Sequence, residues 1–228
     1  MLHCLKELLG HSIHASDGLV GTLEDFYFDD AQWVMRYLVV DVGKFLRRHK
    51  VLISPTAIFG IDAANKTVSL KYSTEEIKNS PDIDTDKPVH RQIEEQLANY
   101  YGYVAHWMPQ HDLPDPQAQP VPTGDVHLRS MNNVCKYTVM AFDGRVGSIV
   151  DFVLDDDGWR LPLVVLDTTY YVQVGQVVIP AIQFKGIRVE DREISVNLNK
   201  SDVENAPRLD PAQPLEQYLN AALVSQEV

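Results

Sequence analysis

The sequence lacks the features that mark membrane-spanning, secreted and disulfide-bonded proteins. It has no apolar run near the roughly 18 to 20 residues that a spanning helix needs, and its longest runs, such as 161–166, are strand-sized. Its two cysteines, Cys4 and Cys135, are too few for a disulfide framework, and the first residues show no secretory signal pattern. The sequence therefore predicts a cytoplasmic protein without a transmembrane segment.

Positive charge is also scarce. The chain has 20 Lys and Arg against 32 Asp and Glu, which gives a net charge of −12 over 228 residues. A surface of this sign repels phosphate backbones, so nucleic acid is not the expected partner. Lys and Arg are absent from 103–126, and the prolines concentrated there predict an extended linker.

The sequence does contain an internal repeat at a spacing of 126 residues. The segment from Ala15 to Asp41 recurs from Ala141 to Asp167, and both copies keep an Asp-Gly pair, a later Gly and a Trp. Without a gap, residues 1–102 and 127–228 share about 23 identities over about 102 aligned positions. This pattern indicates a tandem duplication of one module of about 100 residues.

Within each copy, short apolar runs alternate with turn residues. Asp17-Gly18 predicts a type I′ hairpin, Gly21 a bulge or a close backbone approach, and the apolar run 37–40 a strand buried on both faces. Five such strands without crossover helices favour a small antiparallel barrel. The predicted parts are a first barrel (1–80), a helical extension (81–108), a Pro-rich linker (109–126), a second barrel (127–206) and a C-terminal helical extension (207–228).

The two extensions carry helical patterns. Ser73 to Glu76 predicts a helix cap, and a longer helix from Pro88 places an apolar stripe before Gly102. The second copy, 214–224, repeats Leu at a spacing of four residues. Such stripes need a covering surface, and a barrel or a second chain would supply it. We therefore expect a homodimer.

These residues resemble the PRC-barrel domain, which is found in the cytoplasmic part of the photosynthetic reaction-centre H subunit and in a ribosome-maturation factor. The resemblance is carried by the hairpin with Gly21, by Asp25-Phe26, Asp29-Asp30 and Trp33, and by the segments 36–41 and 51–55. The second copy keeps the hairpin Asp143-Gly144-x-x-Gly147 and the strand 163–167. The resemblance implies a mainly β protein with two tandem SH3-like antiparallel β-barrels, used for protein interaction and assembly rather than catalysis.

Catalytic and metal-binding motifs are not found. The chain has no Gly-rich phosphate loop, CxxC, HExxH or serine elbow, and the pairs His11/His14 and His90/Glu94 have no counterparts in the second copy. The acidic residues, by contrast, recur in both copies, which suits turns and strand ends better than one active site. We therefore expect no enzyme activity, no cofactor and no metal site.

Two clusters are candidates for partner binding. The first is the basic segment 44–50, which has no basic counterpart in the second copy. It could contact an acidic partner, RNA or anionic lipid headgroups. Alternatively, it is a solvated hairpin edge. The second is an aromatic group that would form an interface or pack on the adjacent barrel. The candidate residues are Lys44, Arg47, Arg48, Lys50, Tyr100, Tyr101 and Trp107.

The sequence thus predicts a non-enzymatic assembly module whose partner is a protein. The resemblance leaves an alternative, a ribosome-maturation-type factor that binds a ribosomal protein or RNA through residues 44–50. Peripheral contact with a membrane also stays open.

Overall fold

The computed structural model describes residues 1–43, 49–81, 83, 91–102 and 127–224. Contacts divide the chain into two compact units, which do not follow the sequence copies. Unit 1 holds 1–9, 25–37 and 129–228, and unit 2 holds 10–24 and 38–128. The domain boundaries expected from the sequence stay predictions.

The described residues form short strands and short helices. In chain order they are β1 (Leu2–Cys4), α1 (Leu5–Leu8), β2 (Ser12–Ala15), β3 (Gly18–Asp29), β4 (Val34–Asp41), β5 (Lys50–Ile53), β6 (Ile58–Asp62), β7 (Thr67–Leu70), α2 (Thr74–Lys78), α3 (Arg91–Tyr101), β8 (Leu128–Ser130), α4 (Met131–Val134), β9 (Thr138–Ala141), β10 (Gly144–Asp155), β11 (Arg160–Asp167), β12 (Gln176–Pro180), β13 (Phe184–Arg188), β14 (Glu193–Val196), α5 (Lys200–Glu204) and α6 (Glu216–Val224). Every element from β1 to α2 has a counterpart that begins 126 residues later.

Unit 1 is built on a sheet with the strand order β13-β14-β9-β10-β11-β12. Strand β14 runs parallel to β9, whereas the other pairs in this order are antiparallel. The core is made of apolar side chains from β10 and β11, among them the fully buried Phe152, Leu154 and Val164. Helix α6 covers one side of it, where Tyr218 packs with a buried cluster from the strands.

Strands β2 to β7 repeat this order as β6-β7-β2-β3-β4-β5, with β2 and β7 parallel. Residues 25–37, which include parts of β3 and β4, belong to unit 1, and the other residues of these six strands belong to unit 2. The run from Met35 to Val40 is buried throughout, which confirms the strand predicted to be covered on both faces. Leu97 and Ala98 of α3 are also buried. The capping box at α2 is confirmed, because Ser73 Oγ accepts from Glu76 N and Ser73 N donates to the Glu76 carboxylate.

Three predictions about the β structure need correction. The sheet is mixed rather than antiparallel, because a 3₁₀ turn at Pro55–Ala57 and the β6–β7 hairpin return the chain alongside β2 in the same direction. The strands in the described part of the chain also do not close into a barrel. The turn before β3 is not type I′, since the positive φ lies on Gly18 itself and Ala15 pairs directly with it.

The mainly β character is confirmed, and the helices α3 and α6 lie within the two segments predicted to be helical extensions. Gly21 also behaves as predicted, because β2 and β3 slip in register there and the Cα of Gly21 approaches the end of β4 closely. None of the helices in the described ranges combines the length and the hydropathy that crossing a bilayer requires.

Candidate functional site

Of the predicted basic cluster, the structure describes Lys50. Its Nζ lies 2.7 Å from Glu24 Oε2, and the side chain is about one-fifth exposed. The charge of Lys50 is therefore engaged within unit 2. Sequence reasoning missed this pair because Glu24 lies on another strand. Lys44, Arg47 and Arg48 lie outside the described residues.

The predicted aromatic cluster packs within unit 2. The ring of Tyr101 lies 4.4 Å from that of Tyr72, and Tyr100 stands edge-on to Tyr101 at 5.0 Å. The Tyr100 hydroxyl donates to the backbone carbonyl of Glu76 over 2.8 Å. These contacts attach the end of α3 to α2, which is the packing alternative considered for this cluster. Trp107 and the linker 109–126 lie outside the described residues.

Unit 1 contains a shallow groove that the sequence did not predict. It has a volume of about 420 Å³ and is lined by the turn 31–33, by residues 160–162, by residues 180–182 and by Leu219 of α6. The main apolar lining residues, which we call the unit 1 groove residues, are Trp33, Pro162, Pro180, Ile182 and Leu219.

Local sequence explains the position of Trp33 in this groove. The carboxylate of Asp29 accepts from Ala31 N and Gln32 N, each over 2.9 Å, and so fixes the turn. Trp33 then adopts a positive φ of 54° and stacks on Phe28 with the ring centroids 5.7 Å apart. Phe184 packs on it at 5.8 Å. The indole is therefore held rigidly at the groove.

The groove combines exposed apolar surface with one positive charge. Ile182 is 61% exposed although it is apolar. Arg160 lines the groove, its side chain is exposed, and it forms no ion pair with any carboxylate in the described part of the chain. Such a site can take an apolar side chain and pair a neighbouring carboxylate with the guanidinium.

The acidic residues serve turns and helix ends, as the recurrence predicted. Asp41 accepts from Gly43 N over 2.8 Å, and Asp167 accepts from Thr169 N over 3.0 Å. The hydroxyl and the N–H of Thr169 hold the pKa of Asp167 below its usual value. Asp155 accepts from Asp157 N, so the run 155–158 forms a turn. Within the described ranges, no three His, Cys, Asp or Glu side chains cluster as metal ligands would.

Buried groups near β10 have perturbed acidities. Burial raises the pKa of both Cys4 and Cys135 to about 12, so neither thiol is poised as a thiolate nucleophile. Burial also raises the pKa of Asp151 to about 6, against the opposing effect of hydrogen bonds from Phe152 N and Lys6 N. The arrangement favours structural roles for all three groups.

Comparison with protein families agrees with this β-rich architecture. The family model of the PRC-barrel domain matches residues 5–77, a segment that runs from α1 into α2. A PRC-barrel domain is therefore found at residues 5–77. No curated protein matches the chain.

Proposed function

We propose that this protein is a non-enzymatic interaction and assembly module made of two PRC-type halves, residues 1–102 and 127–228. The PRC-barrel match at 5–77 supports the assignment of the first half. The counterparts 126 residues later, from β8 to α5, support a duplicated second half. On this proposal, the likeness to the cytoplasmic part of the reaction-centre H subunit is one of fold and of scaffolding role.

The observation that carries the proposal is the groove of unit 1. Its partner is a protein segment that presents an apolar side chain next to a carboxylate. The apolar side chain would cover Trp33 and Ile182, and the carboxylate would pair with Arg160, which the described residues leave without a counter-charge. An acidic, apolar partner segment also fits the electrostatics locally, although the whole chain is negative.

The groove residues that the second half supplies differ from their counterparts in the first half, as a surface with a function in one copy should. The positions that correspond to Pro180 and Ile182 in the first half are Ser54 and Thr56, and the position of Arg160 corresponds to Val34. Ser54 and Thr56 hydrogen-bond to each other at 2.9 Å and form a local turn cap. The first half thus keeps a polar turn where the second half exposes apolar surface.

The proposal is tested by selecting peptides from a random display library on the full-length protein. Selected peptides should carry Leu, Ile or Phe within two residues of Asp or Glu. A labelled copy of one such peptide is then titrated by fluorescence anisotropy. We expect Arg160→Glu and Ile182→Asp each to weaken its binding about tenfold or more, because each removes one of the two complementary contacts.

Matched controls exist in the same unit. Lys185→Glu makes the same charge change, and Val189→Asp changes an apolar residue that is 48% exposed, but neither residue lines the groove. Both control variants should bind the peptide as the unmodified protein does. A library that yields no enriched peptide, or peptides that bind all four variants equally, would refute the groove as the interaction site.

Self-association into a homodimer stays a prediction. The apolar helix stripes that favour a dimer are covered at least in part within the chain, because Leu97 of α3 is fully buried within unit 2 and α6 packs on the core of unit 1. The cytoplasmic location likewise remains a prediction. The alternative, a ribosome-maturation-type factor, rests on residues 44–50, and the one cation of that segment in the described ranges, Lys50, pairs with Glu24.

A further inference from the structure

The first element of each half pairs with the long strand of the other half. Strand β1 pairs antiparallel with β10, with Leu2 opposite Asp155 and Cys4 opposite Val153. Strand β8, the counterpart of β1, pairs with β3, the counterpart of β10. These contacts lie in unit 1, which combines residues 1–9 and 25–37 of the first half with 129–228.

Two pairs of carboxylates hold the exchanged elements in the same reciprocal way. Asp25 Oδ1 accepts from the N–H of Asn132 in α4 over 3.1 Å, and Asp151 Oδ1 accepts from the N–H of Lys6 in α1 over 3.0 Å. Lys6 and Asn132 are counterparts in the two halves, and so are Asp25 and Asp151. In the first hydrogen bond the first half therefore supplies the acceptor, and in the second hydrogen bond it supplies the donor. Each buried Asp therefore caps the short helix of the opposite half.

The second carboxylate pair follows the same rule. Arg129 Nε lies 2.7 Å from Asp30 Oδ2, and its counterpart His3 lies 3.0 Å by its Nε2 from Asp156 Oδ2. The amino group of Met1 also contacts Asp156. Arg129 of β8 thus contacts the acidic turn after β3, and His3 of β1 contacts the acidic turn after β10.

Backbone and core contacts complete the reciprocity. Met35 N donates to Trp159 O and Leu161 N donates to Trp33 O, each over 2.7 Å. Phe28 of the first half packs against Phe152 of the second with the ring centroids 5.0 Å apart. Leu5 of α1 and Met131 of α4 are fully buried. Contacts that occur twice with the partners interchanged are what a two-fold symmetric interface between identical modules requires.

We propose that each half is a segment-exchanging module whose binding partner is a second copy of itself, and that this chain carries both copies of one exchange dimer. The exchange surface comprises residues 1–9 and 25–37 of the first half with their counterparts in the second. The linker tethers the halves and is not needed to hold them together. The inference rests on the duplication proposed above but not on the groove.

The test uses the full chain with a protease recognition sequence inserted between Ala118 and Gln119. After complete cleavage, size-exclusion chromatography with light scattering should show one species with the mass of the whole chain. Separation of the two fragments under native conditions at micromolar concentration would overturn the proposal. Peptide binding to the groove is scored on the uncut chain, so the two proposals fail independently.

A matched pair of double variants separates exchange from ordinary docking. Asp25→Ala with Asp151→Ala removes the two caps that join the halves. Asp17→Ala with Asp143→Ala also removes two caps, but each lies within one half: Asp17 accepts from Thr74 N over 2.7 Å, and Asp143 accepts from Lys200 N over 2.9 Å. We expect the first double variant to raise the dissociation constant of the cleaved fragments about tenfold or more, and the second to leave it within about threefold.

Equal dissociation constants for the two double variants would show that the caps do not join the halves and would overturn the exchange. Circular dichroism of each uncut variant establishes that it folds. If the first double variant does not fold, the pair Asp30→Asn and Asp156→Asn replaces it, because these changes remove charge at the second anchor and leave the buried caps intact.

Discussion

The closest backbone approach at a glycine predicts a large effect from a single methyl group. A Cβ added to Gly21 would lie 2.3 Å from the carbonyl oxygen of Asp41 and 3.1 Å from its carbonyl carbon. Ordinary contacts begin at 3.4 Å, so β3 and the end of β4 would have to separate by about 1 Å. Because the obstacle is backbone rather than a flexible side chain, Gly21→Ala should destabilise the protein by about 1–3 kcal/mol.

Gly60→Ala is the control for this change. Gly60 also lies in a strand and has an ordinary φ, and apart from its chain neighbours no described residue has an atom within 4 Å of an added Cβ. Its substitution should leave stability unchanged or raise it by up to about 1 kcal/mol through the unfolded state. Gly147→Ala should behave like Gly21→Ala, since its Cβ would lie 2.5 Å from Asp167 O.

The measurement is equilibrium urea unfolding followed by circular dichroism, with thermal unfolding as a second probe. A loss of 1 kcal/mol corresponds to a decrease of about 2–4 °C in the midpoint temperature for a chain of this size. If Gly21→Ala and Gly60→Ala unfold at the same urea concentration, the close approach of β3 to Asp41 is refuted.

Two further predictions concern buried and packed side chains. Burial raises the pKa of Asp151 in the folded state from 3.8 to about 6. Between these two values the folded protein binds more protons than the unfolded chain, so folding becomes less favourable as the pH rises. The unmodified protein should therefore lose stability relative to Asp151→Asn between about pH 4 and about pH 6. A stability difference that stays constant across this range, measured by urea unfolding, would contradict the expected ionisation. Tyr101→Leu should lower the free energy of unfolding by about 0.5–1.5 kcal/mol, because the packing on Tyr72 is lost. Tyr100→Phe should lower it by about 0.5–1.5 kcal/mol, because one hydrogen bond is lost. Unfolding midpoints equal to that of the unmodified protein would contradict the docking of α3.

Features determined by neighbouring residues could be predicted from the sequence. The capping box at Ser73, the bulge at Gly21 and the buried strand at 37–40 each depend on a few adjacent side chains or on one apolar run. Strand β6 could not be predicted from its sequence, because Ile58–Asp62 lacks a clear alternation of apolar and polar residues and its residues are half-buried or exposed. The parallel pairing of β2 with β7 joins residues more than 50 positions apart, which no local pattern specifies.

The candidate site was harder to predict for the same reason. The basic and aromatic clusters were predicted because residues of one type stand close together in the sequence. In the structure, Lys50 pairs with Glu24 and Tyr101 packs on Tyr72, both within unit 2. The groove is lined by four segments that lie far apart in the sequence, so no local cluster of residues marks it. A signal did exist in the repeat, because Pro180 and Ile182 differ in kind from their counterparts Ser54 and Thr56.

Comparison of residues 1–102 with residues 127–228 separates residues whose contacts occur in both segments from residues of the proposed binding groove. Trp33 and Trp159 both adopt positive φ, and each accepts a hydrogen bond from the other half, so the shared geometry needs them in both copies. Arg160 pairs through its backbone with its counterpart Val34, but its side chain, like those of Pro162 and Ile182, takes part in none of the reciprocal contacts described above. The counterparts of Pro162 and Ile182 are Arg36 and Thr56. On the proposed function, a protein made of two similar modules binds a single partner segment where one module differs from the other. The groove of unit 1 combines such differences with exposed apolar surface and with Arg160, which pairs with no carboxylate among the described residues.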